Sequence, residues 1–204
     1  TILMENGTGE IERVVSVIAL HITNESSQLF AQIGKFENGV HSASCQLPGG
    51  KQDRGEVTAD AMKRLLKSKV PWLAGLVKVE STERKVTEKE SKEYGVRTKY
   101  LRTICHAVLN SSIDAPRWRV NSEKLQGDDT MPSVSDEFIK RDVFVLSSKG
   151  KAAYYAFLEQ EEFNMLSASS PDSEAMVVRW LSALEEPDSS NELLASLSME
   201  QFTI

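Results

Sequence analysis

Between Leu47 and Val70 the chain sets out the groups best suited to chemistry: adjacent glycines Gly49 and Gly50, a carboxylate at Glu56, a guanidinium at Arg64 and an ammonium at Lys69, with the thiol of Cys45 just upstream. Pro48 fixes its own φ, and the two glycines after it let backbone approach a ligand or a strand closely, so LPGGK reads as a tight loop. A hard cation such as Mg²⁺ needs carboxylate oxygens gathered on one face, and Asp60 is the sole acid between Val57 and Val70. The same segment is rich in cations, and Lys69 has the chemistry to hold a phosphate directly.

A helix must carry these groups. Thr58 reads as its N-cap and Asp60 lies in its first turn. Lys63, Arg64, Lys67 and Lys69 crowd its second half, the order of charge that a helix dipole favours. Pro71 stops it. Ala61, Met62, Leu65, Leu66 and Val70 recur at three- and four-residue spacing, which gives the helix one apolar side to pack on a core.

Gly50, Glu56 and Arg64, with five and then seven residues between them, resemble the Nudix box, G-x5-E-x7-R-E-U-x-E-E-x-G-U, where U is aliphatic. Beyond Arg64 only Leu66 keeps its class. Leu65, Ser68 and Lys69 stand where the family has glutamates, and Pro71 stands at the late glycine. In the family those glutamates hold the Mg²⁺ that activates water on a diphosphate, and the box arginine braces the loop glutamate. The resemblance therefore implies that Glu56 and Arg64 keep the scaffold half of the motif while the metal half is gone. It implies no catalytic residue, no metal and no cofactor, with Gly49, Gly50, Glu56, Arg64, Lys69 and Cys45 as the candidate ligand-binding set. Cys45-x-x-Pro48 also resembles the cysteine segment of isopentenyl diphosphate isomerase, a relative of that fold. Pro116–Leu125, PRWRVNSEKL, resembles a late family segment near which active members carry a further glutamate. Glu123 is the nearest acid here and reads as a surface residue.

The 204 residues suffice for one domain with additions. A hydrophobic share of 40% and a charged share of 26% are ordinary for a folded protein. Two cysteines, Cys45 and Cys105, exclude a disulfide-dense scaffold, and with His21, His41 and His106 they make no zinc spacing. Neither an export signal nor an eighteen-residue apolar run is seen, so an intracellular protein without a membrane span is expected, its compartment undetermined. The first residue is not Met, which suggests a processed or excised segment. Charge is uneven. From Lys51 to Val120 there are 16 Lys/Arg and 9 Asp/Glu, or +7, which leaves −13 for the rest of a chain whose net charge is −6. A basic middle suits a phosphate-bearing ligand or RNA, although mixed charge on solvated strands gives the same count.

In chain order, Arg13–Thr23 and Gln28–Phe36 read as an opening pair of strands, His41–Gln46 leads into the loop, and Leu73–Glu80 is a short strand. Ser81–Val96 is polar throughout and reads as a solvated hairpin tip. Arg97–Leu109 is a long strand. His21 and His106 fall inside apolar strands and read as core histidines. Lys151–Leu166 and Ser173–Glu186 carry apolar residues at helical spacing, with Ser173 as an N-cap and with Tyr154, Tyr155, Phe157, Phe163 and Trp180 as core aromatics. Pro187–Ile204 reads as a frayed tail or a short partner-binding helix.

The expected fold class is thus α/β (α+β): a Nudix-like mixed sheet sandwiched by helices. Residues 1–128 form the core, and 129–204 form a C-terminal helical extension with an acidic tail. Three functions stay open. One is a degenerate Nudix-like module binding a nucleotide, RNA, another diphosphate ligand or, through its C-terminal helices, a protein partner, without hydrolysis. Another is an enzyme with altered chemistry on the same scaffold, a diphosphate hydrolase or isomerase. The third is a structural domain of a larger assembly.

Overall fold

The computed structural model describes residues 2–5, 9–90, 97–125 and 133–187. A short strand, β1 (Ile2–Glu5), precedes the β-branched run, which forms β2 (Ile11–Thr23). Then come β3 (Leu29–Glu37), β4 (Val40–Gln46), β5 (Gly49–Lys51), α1 (Thr58–Lys69), β6 (Val77–Glu90), β7 (Arg97–Leu109) and β8 (Arg117–Val120). The remaining elements are α2 (Asp136–Ile139), β9 (Val143–Ser148), β10 (Lys151–Leu158), α3 (Gln160–Ser167), α4 (Pro171–Ser182) and β11 (Leu184–Glu185).

The strands form one mixed sheet flanked by helices, in the order β11-β8-β9-β10-β3-β2-β7-β6, with β1, β4 and β5 attached at its sides. β2 is central because both its edges are used. It runs parallel to β7 from Arg13 beside Thr98 to Thr23 beside Val108. Its other edge is shared by β1, β5 and the start of β3.

Alternation along the strands sends neighbouring side chains to opposite faces. Phe30 and Tyr155 join the cluster beneath α1, with Ile18, Leu20, Ala61, Leu65, Leu66 and Val70. Ala31 and Tyr154 join the cluster beneath α4, with Ile33, Val177, Trp180 and Leu181. The core reading of Tyr154, Tyr155 and Trp180 matches this placement.

Several local expectations give way. Lys151–Leu166 is not one helix: β10 takes its first half, pairing with β3 and β9, and α3 takes the second. The cause is a two-residue turn at Lys149 and Gly150, whose φ values of 50° and 74° are positive. A primed hairpin turn requires that sign at both central residues. The helical extension expected over 129–204 therefore contributes β9 and β10 to the sheet. Pro71–Leu73 is a 3₁₀ turn rather than the start of a strand, and β6 begins at Val77. It continues through Glu90, paired with β7, so the polar run from Ser81 is strand at least that far. Residues 91–96, and 188–204 of the C-terminal stretch, lie outside the described residues.

Both expected helix caps also shift. The N-cap of α1 is Val57, without a side-chain cap bond, in place of Thr58. The N-cap of α4 is Ser170, whose side chain accepts from the Ser173 N–H, in place of Ser173. No helix among the described residues is long and apolar enough to cross a membrane.

Candidate functional site

The glycine loop is held as a strand. β5 lies antiparallel on β2, with Gly50 opposite Ile18 and Gly49 opposite Ala19. The Leu20 N–H donates to the Pro48 carbonyl at 2.8 Å, and the Gln52 N–H to that of Ser16 at 2.9 Å. Gly49 is demanded by proximity to backbone, while Gly50 lies close to a leucine side chain that can move. A Cβ on Gly49 would stand 2.3 Å from the Ile18 carbonyl oxygen, and one on Gly50 2.8 Å from Leu65 Cδ2.

The turn after β5 brings Glu56 back to α1. Arg64 donates to both carboxylate oxygens, Nε to Oε1 at 2.8 Å and Nη2 to Oε2 at 2.7 Å. Nη2 also reaches the Lys51 carbonyl at 3.0 Å, and Asp53 supplies a backbone N–H to Glu56 Oε2 at 2.9 Å. The carboxamide of Gln52 caps the Glu56 carbonyl. Hydrogen bonding from Arg64, then from the Asp53 N–H, holds the Glu56 carboxyl down to about 2. The same pair raises Arg64. Glu56 thus spends its lone pairs on loop and helix, and this pair ties β5 to α1.

The remaining box positions diverge. Leu65, 2% exposed, packs in the core beneath α1 against Gly50. The Ser68 hydroxyl turns back to the Leu65 carbonyl, and Lys69 is exposed at the helix end. A leucine, a committed serine and an ammonium do not fit Mg²⁺, which takes oxygen ligands with at least one carboxylate. Among the described residues no three His, Cys, Asp or Glu side chains are grouped to hold a metal ion.

Cys45 is not brought to this helix. It packs with the cluster beneath α4, its thiol 3.9 Å from the Phe163 carbonyl, and burial pushes it up to about 12. That environment disfavours the thiolate a nucleophile requires. His21 and His106 are neighbours in the β2–β7 pairing, half-buried, with ring centroids 4.7 Å apart. His106 Nε2 is 3.7 Å from Glu83, while burial, then His106, lowers His21. They are less enclosed than core histidines. Glu123 sits exposed in the 3₁₀ turn Ser122–Leu125.

A trough that the sequence did not reveal opens beside the start of α1. It has a volume of about 420 Å³, between Gln52 and Thr58 on one side and the β6–β7 ribbon on the other. Its lining includes Ser16, Arg84, Val86, Leu101 and Thr103. Ser16 lies on β2 and the others on β6 and β7, roughly seventy residues or more further along the chain, so no local pattern announces them.

No family model matches the chain, and no curated protein matches it. Solved structures similar to it include a Nudix hydrolase of M. smegmatis, RenU, at 11% identity and a TM-score of 0.40, covering 96% of each chain. The Ap4A hydrolase of C. elegans is similar at 13% identity and a TM-score of 0.36, over 83% of this chain and 97% of that one. A MutT structure from a study of Aliivibrio salmonicida and Vibrio cholerae is similar at 11% identity and a TM-score of 0.32, over 76% of this chain and 98% of that one.

Proposed function

We propose that this chain is a catalytically degenerate Nudix-like module that binds a phosphate-bearing ligand without Mg²⁺-dependent hydrolysis. The observation that carries the reading is the split fate of the box. Glu56 and Arg64 form the bidentate brace that fixes the loop, whereas Leu65 is sealed into the core against Gly50. A carboxylate at Leu65 would have to displace that packing, and Lys69 would repel a divalent ion rather than hold it. At about 4 Å and an effective dielectric near 20, a charge pair of like sign costs roughly 4 kcal/mol.

What the scaffold retains is a rigid loop beside a basic helix in the basic middle of the chain, which favours an anionic ligand held by direct donors. An isomerase-like reading would need Cys45 at the box, and its place under α4 with a raised thiol argues against it. The test is an assay of ADP-ribose, capped RNA and nucleoside triphosphates with Mg²⁺ present. No release above background is expected. Turnover that requires Mg²⁺ and disappears in Glu56→Gln would overturn the reading.

A further inference from the structure

We infer that the trough at the start of α1 is the ligand site, and that it takes a small phosphomonoester with an apolar body, of the nucleoside monophosphate kind. The inference rests on the binding reading above and moves the ligand away from Lys69. The strand registers fix which side chains face the trough. Ile18, Thr103 and Arg84 are lateral neighbours across β2, β7 and β6, as are Ser16, Leu101 and Val86 one step in the alternation away. Since Ile18 packs under α1, all of these share the α1 side of the sheet. Lys85 and Arg102 form the intervening pair and also border the trough, but the alternation turns Arg84, not these two, to the α1 side.

Four features make this an anion site. Thr103 lines the trough and carries a hydroxyl able to donate to an anion there. Arg84 has no carboxylate in ion-pair range among the described residues, and no acid lines the trough. At the start of α1, where Thr58 borders the trough, Val57 provides no side-chain cap; the Asp60 N–H bonds to the Val57 carbonyl, which leaves those of Thr58 and Ala59 for an anion. Finally, Val86 and Leu101 are 56% and 38% exposed and form an apolar wall beside the cation. A guanidinium fork, a hydroxyl and helix N–H groups suit the oxygens of a phosphate, and the wall suits a base or sugar. The volume of about 420 Å³ lies at the small end of the roughly 300–1,000 Å³ typical of small-ligand sites.

The experiment is calorimetric titration of the whole chain, without Mg²⁺, using AMP, adenosine and inorganic phosphate. AMP is expected to bind, with adenosine at least about tenfold weaker for want of the charge-assisted bonds. Arg84→Ala should weaken AMP by about tenfold or more, with partial recovery in Arg84→Lys. Thr103→Val, nearly isosteric, should weaken it several-fold. Unaltered melting temperatures would show that the variants fold. Absence of AMP binding, or binding indifferent to Arg84→Ala and Thr103→Val, overturns the inference. Binding that is lost in Lys69→Ala instead overturns the site while leaving the binding reading intact. Mg²⁺-dependent turnover of nucleotides overturns the functional reading, whatever the affinity variants do.

Discussion

Glu56 and Arg64 are joined by two parallel hydrogen bonds, and the fork geometry makes the pair specific as well as attractive. The carboxyl is held at about 2 against an ordinary 4.5, so its contribution is present above 4.5 and is lost as pH falls through about 2. Stability measured by denaturant between pH 5 and about 2 should accordingly fall less steeply in Glu56→Gln than in the parent chain. Parallel curves would show that Glu56 is not held as described. Arg64→Ala should lower the melting temperature, and Arg64→Lys should restore only part of the loss, because an ammonium cannot reproduce the fork. The frame Gly50, Glu56, Arg64 was legible from spacing. The second partner of each group, the Lys51 carbonyl and the Asp53 N–H, was not, because backbone donors and acceptors carry no residue signature.

At the scale of elements, β5 depends on the absence of a side chain at Gly49. Gly49→Ala should destabilise the fold by about 1–3 kcal/mol, since the contact at 2.3 Å is with rigid backbone rather than a side chain that could swing away. Retained stability in thermal melts would mean that β5 detaches freely from β2. Helix starts give a paired test. Ser170→Ala should cost about 1 kcal/mol through the lost cap bond. Thr58→Ala, which removes no cap, should change stability by no more than about 0.5 kcal/mol. Equal losses in chemical denaturation would show that the caps are misassigned. Serine and threonine mark helix starts only to within a residue or so.

For the molecule as a whole, the sheet order makes the C-terminal stretch indispensable. β10 pairs with β3 along its length, and β9 links β10 to β8. A fragment of residues 1–128 would expose Phe30 and Ala31 on both faces of β3 and leave its edge unpaired. That fragment should fail to fold, giving neither a cooperative melt nor dispersed amide resonances; a native-like spectrum would instead support a division near residue 128.

Sequence alone determined the central strand, the box helix and the Glu56–Arg64 frame. Each of these is written locally: β-branched residues for β2, three- and four-residue apolar spacing for α1, five- and seven-residue intervals for the frame. The tight loop expected at Gly49 and Gly50 became strand β5 through its pairing with β2. Tertiary structure decided what a local pattern leaves degenerate. Residues 151–158 contain alanines and aromatics that suit a helix as well as a strand, and the choice fell to the hairpin turn and to the open edge of β3 that β10 fills. The trough depended on tertiary structure most of all. Ser16, Arg84, Leu101 and Thr103 face one space only because a parallel pairing sets β2 beside the β6–β7 ribbon, and strand register is a property of the sheet, not of any one segment.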